Sequence, residues 1–153
     1  MEFETTPQRT RQLDDLAEAL PRRAALLAHL FLKHTTLGVS RTDIGVLHAA
    51  SERPQRITDL AAAEGVTQPA ITLVVNRLAR RGWVTRQPDA SDGRAVLVAL
   101  TEAGCTAYDE IRAEYRALMH EEMATLDDEA VEVLGRAIDV LDELIERLTE
   151  REP

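Results

Sequence analysis

The segment Ile57–Thr101, ITDLAAAEGVTQPAITLVVNRLARRGWVTRQPDASDGRAVLVALT, constrains the fold more than any other part of the chain. It opens with a short helical stretch, Thr58–Glu64, which Gly65 ends in a tight turn. A longer stretch follows, Gln68–Arg81, in which Ile71, Val74, Val75 and Leu78 form the one-sided apolar stripe of an amphipathic helix. Pro69 sits in its first turn, where a missing N–H has no helical partner to lose. Gly82 closes it. Two strand-like pieces come next, Trp83–Arg86 and Ala95–Leu100. The segment Gln87–Arg94 between them carries Pro88, Asp89, Ser91, Asp92 and Gly93, all turn formers, and predicts a hairpin. Two short helices joined by a three- to four-residue turn have the pattern of a helix-turn-helix, whose second helix enters a DNA major groove. A glycine turn between two periodic helices is common by itself; the hairpin behind it makes the pattern specific.

The flanks read as long helices. From Gln12 to Thr35, Leu13, Leu16 and Leu20, then Leu27, Leu30 and Phe31, recur at helical spacing, with Pro21 expected to kink or restart the run. Gly38 ends it. Ser40 with Asp43 three residues later resembles a capping box and starts a helix that carries Ile44, Leu47 and His48 and stops before Pro54. After Thr101, Tyr108, Ile111, Tyr115 and Leu118 are again helically spaced, and Asp127, Asp128 and Glu129 place acids at a new helix start. Val131, Leu134, Ile138, Leu141, Ile145 and Leu148 then repeat as a heptad-like stripe. With aromatics at only 3%, the core must be built from aliphatic side chains, which suits packed helices.

A net charge of −9 argues against a nucleic-acid partner until it is mapped. Residues 41–101 hold eight arginines against six acids, a net of +2, whereas the remainder holds 10 basic and 21 acidic residues, a net of −11. The middle of the chain is therefore mildly basic between two acidic ends. No glycine-rich phosphate loop, ligand-spaced His/Cys/Asp cluster or nucleophile elbow supports an enzyme. His29, His34, His48 and His120 lack ligand spacing, so no metal is expected, and no cofactor. Cys105 is the single cysteine, read as a structural thiol in a reducing compartment. The N-terminal MEFETTPQRTRQLDD is polar and no run has the length of a membrane span, so a soluble cytoplasmic protein is expected.

On the helix after the turn, Gln68, Pro69, Thr72, Leu73, Asn76 and Arg80 face outward, with Thr67 just before them at the turn. Gln and Asn have the donor–acceptor pair that matches adenine, and Thr serves several bases or touches a thymine methyl. Arg80 and Arg81 suit phosphate neutralisation, and the helix N-terminus offers free N–H groups. Arg77 has two readings, a DNA contact or an anchor within the protein. On the hairpin, Arg94 suits a narrow minor groove. Asp92 is expected to orient its guanidinium through a charge-assisted pair. Arg86 is placed to reach the DNA backbone.

These residues resemble the winged helix-turn-helix core of the MarR/SlyA family of bacterial transcription regulators. The resemblance lies in Gly65-Val66-Thr67-Gln68-Pro69, Asn76-Arg77-Leu78, Arg81-Gly82-Trp83-Val84, and Asp92-Gly93-Arg94 with Val96, Val98 and Leu100-Thr101. It extends over most of the chain through the order of two helices before the motif and two long ones after the hairpin. It implies an all-α fold with a small β-hairpin wing: an N-terminal dimerisation helix region at 1–39, a winged helix-turn-helix domain at 40–101, and C-terminal dimerisation helices at 102–153. It also implies a homodimer with entwined terminal helices that binds pseudo-palindromic double-stranded DNA, mostly as a repressor. Many family members respond to a small phenolic or other anionic ligand, others to thiol oxidation or metal. The chain departs from the pattern at Leu73, where many members carry Arg, and at Gly93, where the wing usually has a second basic residue. Leu73 instead suits a thymine methyl. The expected function is a ligand-responsive, sequence-specific repressor; the alternative is a winged-helix module that has lost DNA binding and docks a partner protein through its acidic helices.

Overall fold

The computed structural model describes residues 6–151. Residues 1–5, the start of the polar N-terminal stretch, and 152–153 lie outside the described residues. The elements run α1 (Pro7–His34), α2 (Arg41–Glu52), β1 (Gln55–Arg56), α3 (Ile57–Ala63), α4 (Gln68–Arg80), β2 (Val84–Asp89), β3 (Asp92–Leu100), α5 (Glu102–Met123) and α6 (Asp128–Thr149). Two compact units divide the chain within α5, one ending at Tyr115 and the other beginning at Arg116. The fold is thus mainly helical with one small antiparallel sheet, as the sequence pattern predicts.

In the first unit the local chemistry of each turn is visible. Ser40 Oγ accepts from the Asp43 N–H at 3.1 Å while Asp43 Oδ2 accepts from the Ser40 N–H at 2.8 Å, a complete capping box on α2. The turn between α3 and α4 passes through Gly65 at φ +63°, a left-handed conformation that side chains disfavour. There the Val66 N–H donates back to the Ala61 carbonyl at 3.0 Å. Thr67 caps α4, its Oγ1 accepting from the Ala70 N–H at 3.4 Å. Gly82, at φ +75°, ends α4 and turns the chain into β2.

The core of this unit collects the inward stripe of α4 with the apolar faces of α2 and α3. Val46, Leu47, Leu60, Ile71, Val75, Leu78, Val98 and Ile111 are essentially inaccessible to solvent. The first half of α5 packs close because Gly104 has no side chain. A Cβ there would come within 1.9 Å of the Trp83 carbonyl oxygen.

The hairpin is longer than the turn residues imply. Strands β2 and β3 pair from Val84↔Leu100 through Pro88↔Val96 to Asp89↔Asp92, leaving only Ala90 and Ser91 between them. Much of Gln87–Arg94, expected as a turn, is therefore strand. The physical reason is position: the strand order is β1-β3-β2, so Pro88 lies on an edge, where a missing N–H breaks no ladder. The third strand, β1, is only two residues and pairs Gln55 with Val98 and Arg56 with Leu97. Nothing local in the sequence marks it as a strand.

The restart that Pro21 could have imposed does not occur, and the reading of Cys105 is corrected. Helix α1 runs unbroken through Pro21 and does not restart there. Proline removes one backbone hydrogen bond, and the bonds of the turns on either side carry the helix past it. Cys105 is exposed on α5, so it is not a packed structural thiol.

The terminal helices bury nothing. No residue of α1 and none of α6 is buried among the described residues. Leu13, Leu16 and Leu20 of α1 are exposed, as are Val131, Leu134, Ile138, Ile145 and Leu148 of α6. Asp127 caps α6 by accepting from the Ala130 N–H at 2.8 Å, with Asp128 and Glu129 in the first turn. Among the described residues no helix is long and apolar enough to cross a membrane.

Candidate nucleic-acid interface

Helix α4 turns its apolar stripe inward, and that orientation sets the opposite face outward. Gln68, Pro69, Leu73 and Arg80 are exposed, while Thr72, Asn76 and Arg77 are half-buried. Leu73 is 67% exposed, an aliphatic side chain presented to solvent on an otherwise polar face. Thr67, also exposed, uses its hydroxyl oxygen to cap the helix and keeps its proton to donate. Thr72 does the reverse. Its hydroxyl donates back to the Gln68 carbonyl at 2.8 Å, so it presents a methyl group and acceptor lone pairs outward. At the N-terminal end of this face only the Gln68 N–H is left without a partner among the described residues, since Pro69 has none, the Ala70 N–H goes to Thr67 Oγ1 and the Ile71 N–H to the Thr67 carbonyl.

The arginines sort into two groups. Arg77 reaches back to α2, with Nη2 at 2.6 Å and Nε at 3.2 Å from Asp43 Oδ1, and Nη2 at 3.5 Å from Ser40 Oγ. Asp43 is 3% exposed and also belongs to the capping box, so this ion pair ties α4 to the start of α2. Arg81 donates to the carbonyls of Leu37 and Gly38, each at 3.0 Å, and lies 4.7 Å from the Trp83 ring centroid. Its guanidinium fastens the segment before α2 to the end of α4. Arg86 of β2 donates to Asn76 Oδ1 at 2.7 Å, joining the hairpin to α4.

Nothing in the sequence singles out Arg56, yet it anchors the wing. It donates to Asp89 Oδ2 through Nη2 at 2.5 Å and Nε at 3.0 Å, across the central strand β3. Asp89 Oδ1 in turn accepts from the Ser91 N–H at 2.9 Å and the Ser91 hydroxyl at 2.7 Å. The two hydrogen bonds from Ser91, helped by Arg56, hold the Asp89 carboxyl down at about 2. Arg56 and Asp89 are 33 residues apart, and no spacing rule would have paired them.

Arg94 lies exposed near the hairpin tip. Asp92 Oδ1 accepts from its backbone N–H at 3.2 Å, not from its guanidinium. Asp92 thus holds the backbone of the wing tip here, as a short carboxylate readily bonds the N–H two residues on. Gly93 has an ordinary negative-φ backbone and open space at its Cβ position, so no steric reason keeps a basic side chain out.

Of the eight arginines in residues 41–101, Arg56, Arg77, Arg81 and Arg86 thus have protein partners. Arg80 of α4 and Arg94 of the wing make no ion pair among the described residues. The interface therefore combines a small set of free cations with a polar helix face and one exposed leucine. Such a surface is equipped to neutralise phosphates sparingly and to contact base edges.

Comparison with known proteins agrees with this geometry. The model of the MarR family matches residues 40–96. An HTH-type transcriptional regulator of Mycobacterium leprae is 31% identical over 137 residues, covering 89% of this chain and 94% of its own. CouR from Rhodococcus jostii RHA1, solved bound to p-coumaroyl-CoA, is 26% identical, with a TM-score of 0.64 over 84% of this chain and 92% of that one. Streptococcus pneumoniae FabT, solved in complex with DNA, shares the fold at 16% identity, with a TM-score of 0.63 over 91% of this chain and 99% of that one.

Proposed function

The chain belongs to the MarR family of transcriptional regulators with a DNA-binding winged helix, and we propose that it acts as a homodimeric, ligand-responsive repressor of a pseudo-palindromic operator. The observation that carries this reading is the outward face of α4, where Gln68, Thr72, Leu73, Asn76 and Arg80 are presented beside a wing bearing Arg94. In this reading α4 enters the major groove and Arg94 the flanking minor groove. FabT, whose structure contains DNA, supports the reading by fold.

The dimer rests on the exposed leucines, isoleucines and valines of α1 and α6, with 1–39 and 102–153 as the dimerisation regions and 40–101 as the reading domain. Burying one such side chain contributes about 1.5–3 kcal/mol, and a two-fold axis counts each twice. The effector reading rests on a groove of about 440 Å³ lined by Ala24, Ala25, Ala28, His29, Leu32 and Arg41. Its apolar walls and single guanidinium suit a small aromatic anion. CouR, a relative solved bound to p-coumaroyl-CoA, supports an effector that carries an aromatic group and negative charge.

Selection of bound duplexes from a random pool tests the reading. It should return an inverted repeat whose half-site centres lie about 34 Å apart, the spacing at which a two-fold dimer meets one face of the duplex. A pool that remains random after repeated rounds would contradict sequence-specific binding. The interaction-module alternative would then gain the acidic helices as its surface.

A further inference from the structure

The bond between Asn76 and Arg86 bears on how the helix reads bases, given the DNA-reading role proposed above. Arginine has five N–H donors and no acceptor, so the atom that faces it must be the amide oxygen of Asn76 and not the nitrogen. The distance, 2.7 Å from Arg86 Nη2 to Asn76 Oδ1, is that of a charge-assisted bond. It fixes which end of the amide is which. Oδ1 is turned toward β2, and Nδ2, on the other side of the same rigid plane, has no hydrogen-bond partner among the described residues. Asn76 lies on α4, one helical turn after Thr72 and one before Arg80, and it is only half-buried. Its free amide donors are thus available on the face of α4 that carries the proposed base contacts.

We propose that Arg86 is a specificity-determining positioning residue that fixes the amide of Asn76 with its N–H groups toward the bases. Unrestrained asparagine pairs with adenine by donating to N7 and accepting from the N6 amino group. That pairing needs Oδ1 aimed at the base. With one lone pair of Oδ1 held by a guanidinium and the oxygen turned toward β2, Asn76 presents its two N–H groups first, the complement of guanine N7 and O6. Arg86 therefore acts through Asn76 and not through a phosphate. A further consequence is mechanical: the bond links the first wing strand to the reading helix, so the two move as one body.

The distinction is measurable because phosphate neutralisation and base orientation leave different traces. Removing one phosphate-neutralising cation per protomer takes two from the dimer and flattens the slope of log affinity against log salt by about 1.8, equally for specific and random duplex. Removing an orienting bond leaves that slope in place and changes the base preferred at one position of each half-site. The experiment compares wild type, Arg86→Ala, Asn76→Ala and the double variant, each first shown to melt like wild type. Site selection and salt-dependent anisotropy are run on each, and amide NMR on the free wild type and Arg86→Ala proteins.

In the free protein, Arg86→Ala should release the Asn76 side-chain amide into averaged, mobile resonances. On DNA it should shift one half-site position from guanine toward adenine with an unchanged salt slope. In the Asn76→Ala background it should have no further effect on preference. An Arg86→Ala variant with a flatter slope, an unchanged selected site and the same weakening in both backgrounds would overturn the proposal and make Arg86 a phosphate ligand. An Asn76 amide equally ordered without Arg86 would overturn it too. If wild type itself selected no site, the DNA-reading function would fail, and this role of Arg86 with it. A changed preference in Arg86→Ala alone separates the two outcomes.

Discussion

Helices α4 and α6 carry the same kind of aliphatic stripe and meet opposite fates. Ile71, Val75 and Leu78 of α4 are fully buried, whereas Ile138, Ile145 and Leu148 of α6 are 58%, 59% and 62% exposed. Periodicity thus reports that a face must be covered without reporting by what. For α4 the cover is α2, α3 and the sheet of the same unit; for α6 we propose a second copy of the chain. The comparison separates residues that hold the first unit together from residues that would assemble the proposed dimer.

The largest effect should come from placing a charge on the α6 face. Ile145→Asp should cost about 3–6 kcal/mol of association, because a two-fold interface loses the side chain twice. Sedimentation should then show monomers with intact helical circular dichroism. A variant that stays dimeric would mean that α6 is covered some other way. Leu78→Ala should instead cost about 2–5 kcal/mol of folding stability by leaving a cavity, with no change in assembly at matched folded concentration. Denaturant melts distinguish the two, since only the α6 variant should show altered concentration dependence. Gly104→Ala should cost about 1–3 kcal/mol, because its methyl meets the backbone carbonyl of Trp83 and neither helix nor turn gives way easily.

Smaller effects should fall on the surface. Gly93→Arg and Leu73→Arg should each raise affinity for any duplex and steepen the salt slope by about 1.8, one phosphate from each protomer of the dimer, leaving thermal stability near wild type. Unchanged slopes would show that neither position faces DNA. The smallest concerns Asp89. Its carboxyl titrates at about 2 in the folded chain, below the roughly 3.9 of a free aspartate. Its contribution is present above about pH 4 and lost as the pH falls toward 2. Acid melts of Asp89→Asn should lack that increment of pH dependence, while identical acid profiles would mean that the wing anchor contributes nothing.

Much of the fold is legible in the sequence because it rests on local rules. Ser40 with Asp43, Gly65, Pro69 and Gly82 mark helix ends through backbone chemistry that neighbours in sequence supply, and the inward stripe of α4 follows from its spacing. The hairpin is legible in kind but not in length, since Pro88 is a strand residue only because β2 is an edge. The candidate site is less legible. Which arginines are free depends on partners far away in sequence: Asp43 for Arg77, the Leu37 and Gly38 carbonyls for Arg81, Asp89 for Arg56. Composition counts all of these as positive charge available to DNA. The folded chain uses them on itself, which leaves Arg80 and Arg94 as the free cations that α4 and the wing bring to the reading face.

The central claim is that an acidic protein reads DNA with a sparing set of cations and a base-contacting helix. Anisotropy titration of wild type against its selected duplex and a scrambled duplex, from low to physiological salt, tests it most directly. The predicted result is two parallel, log-linear falls in affinity, with the selected duplex tighter throughout. Equal affinity for both duplexes, or binding indifferent to salt, would contradict it.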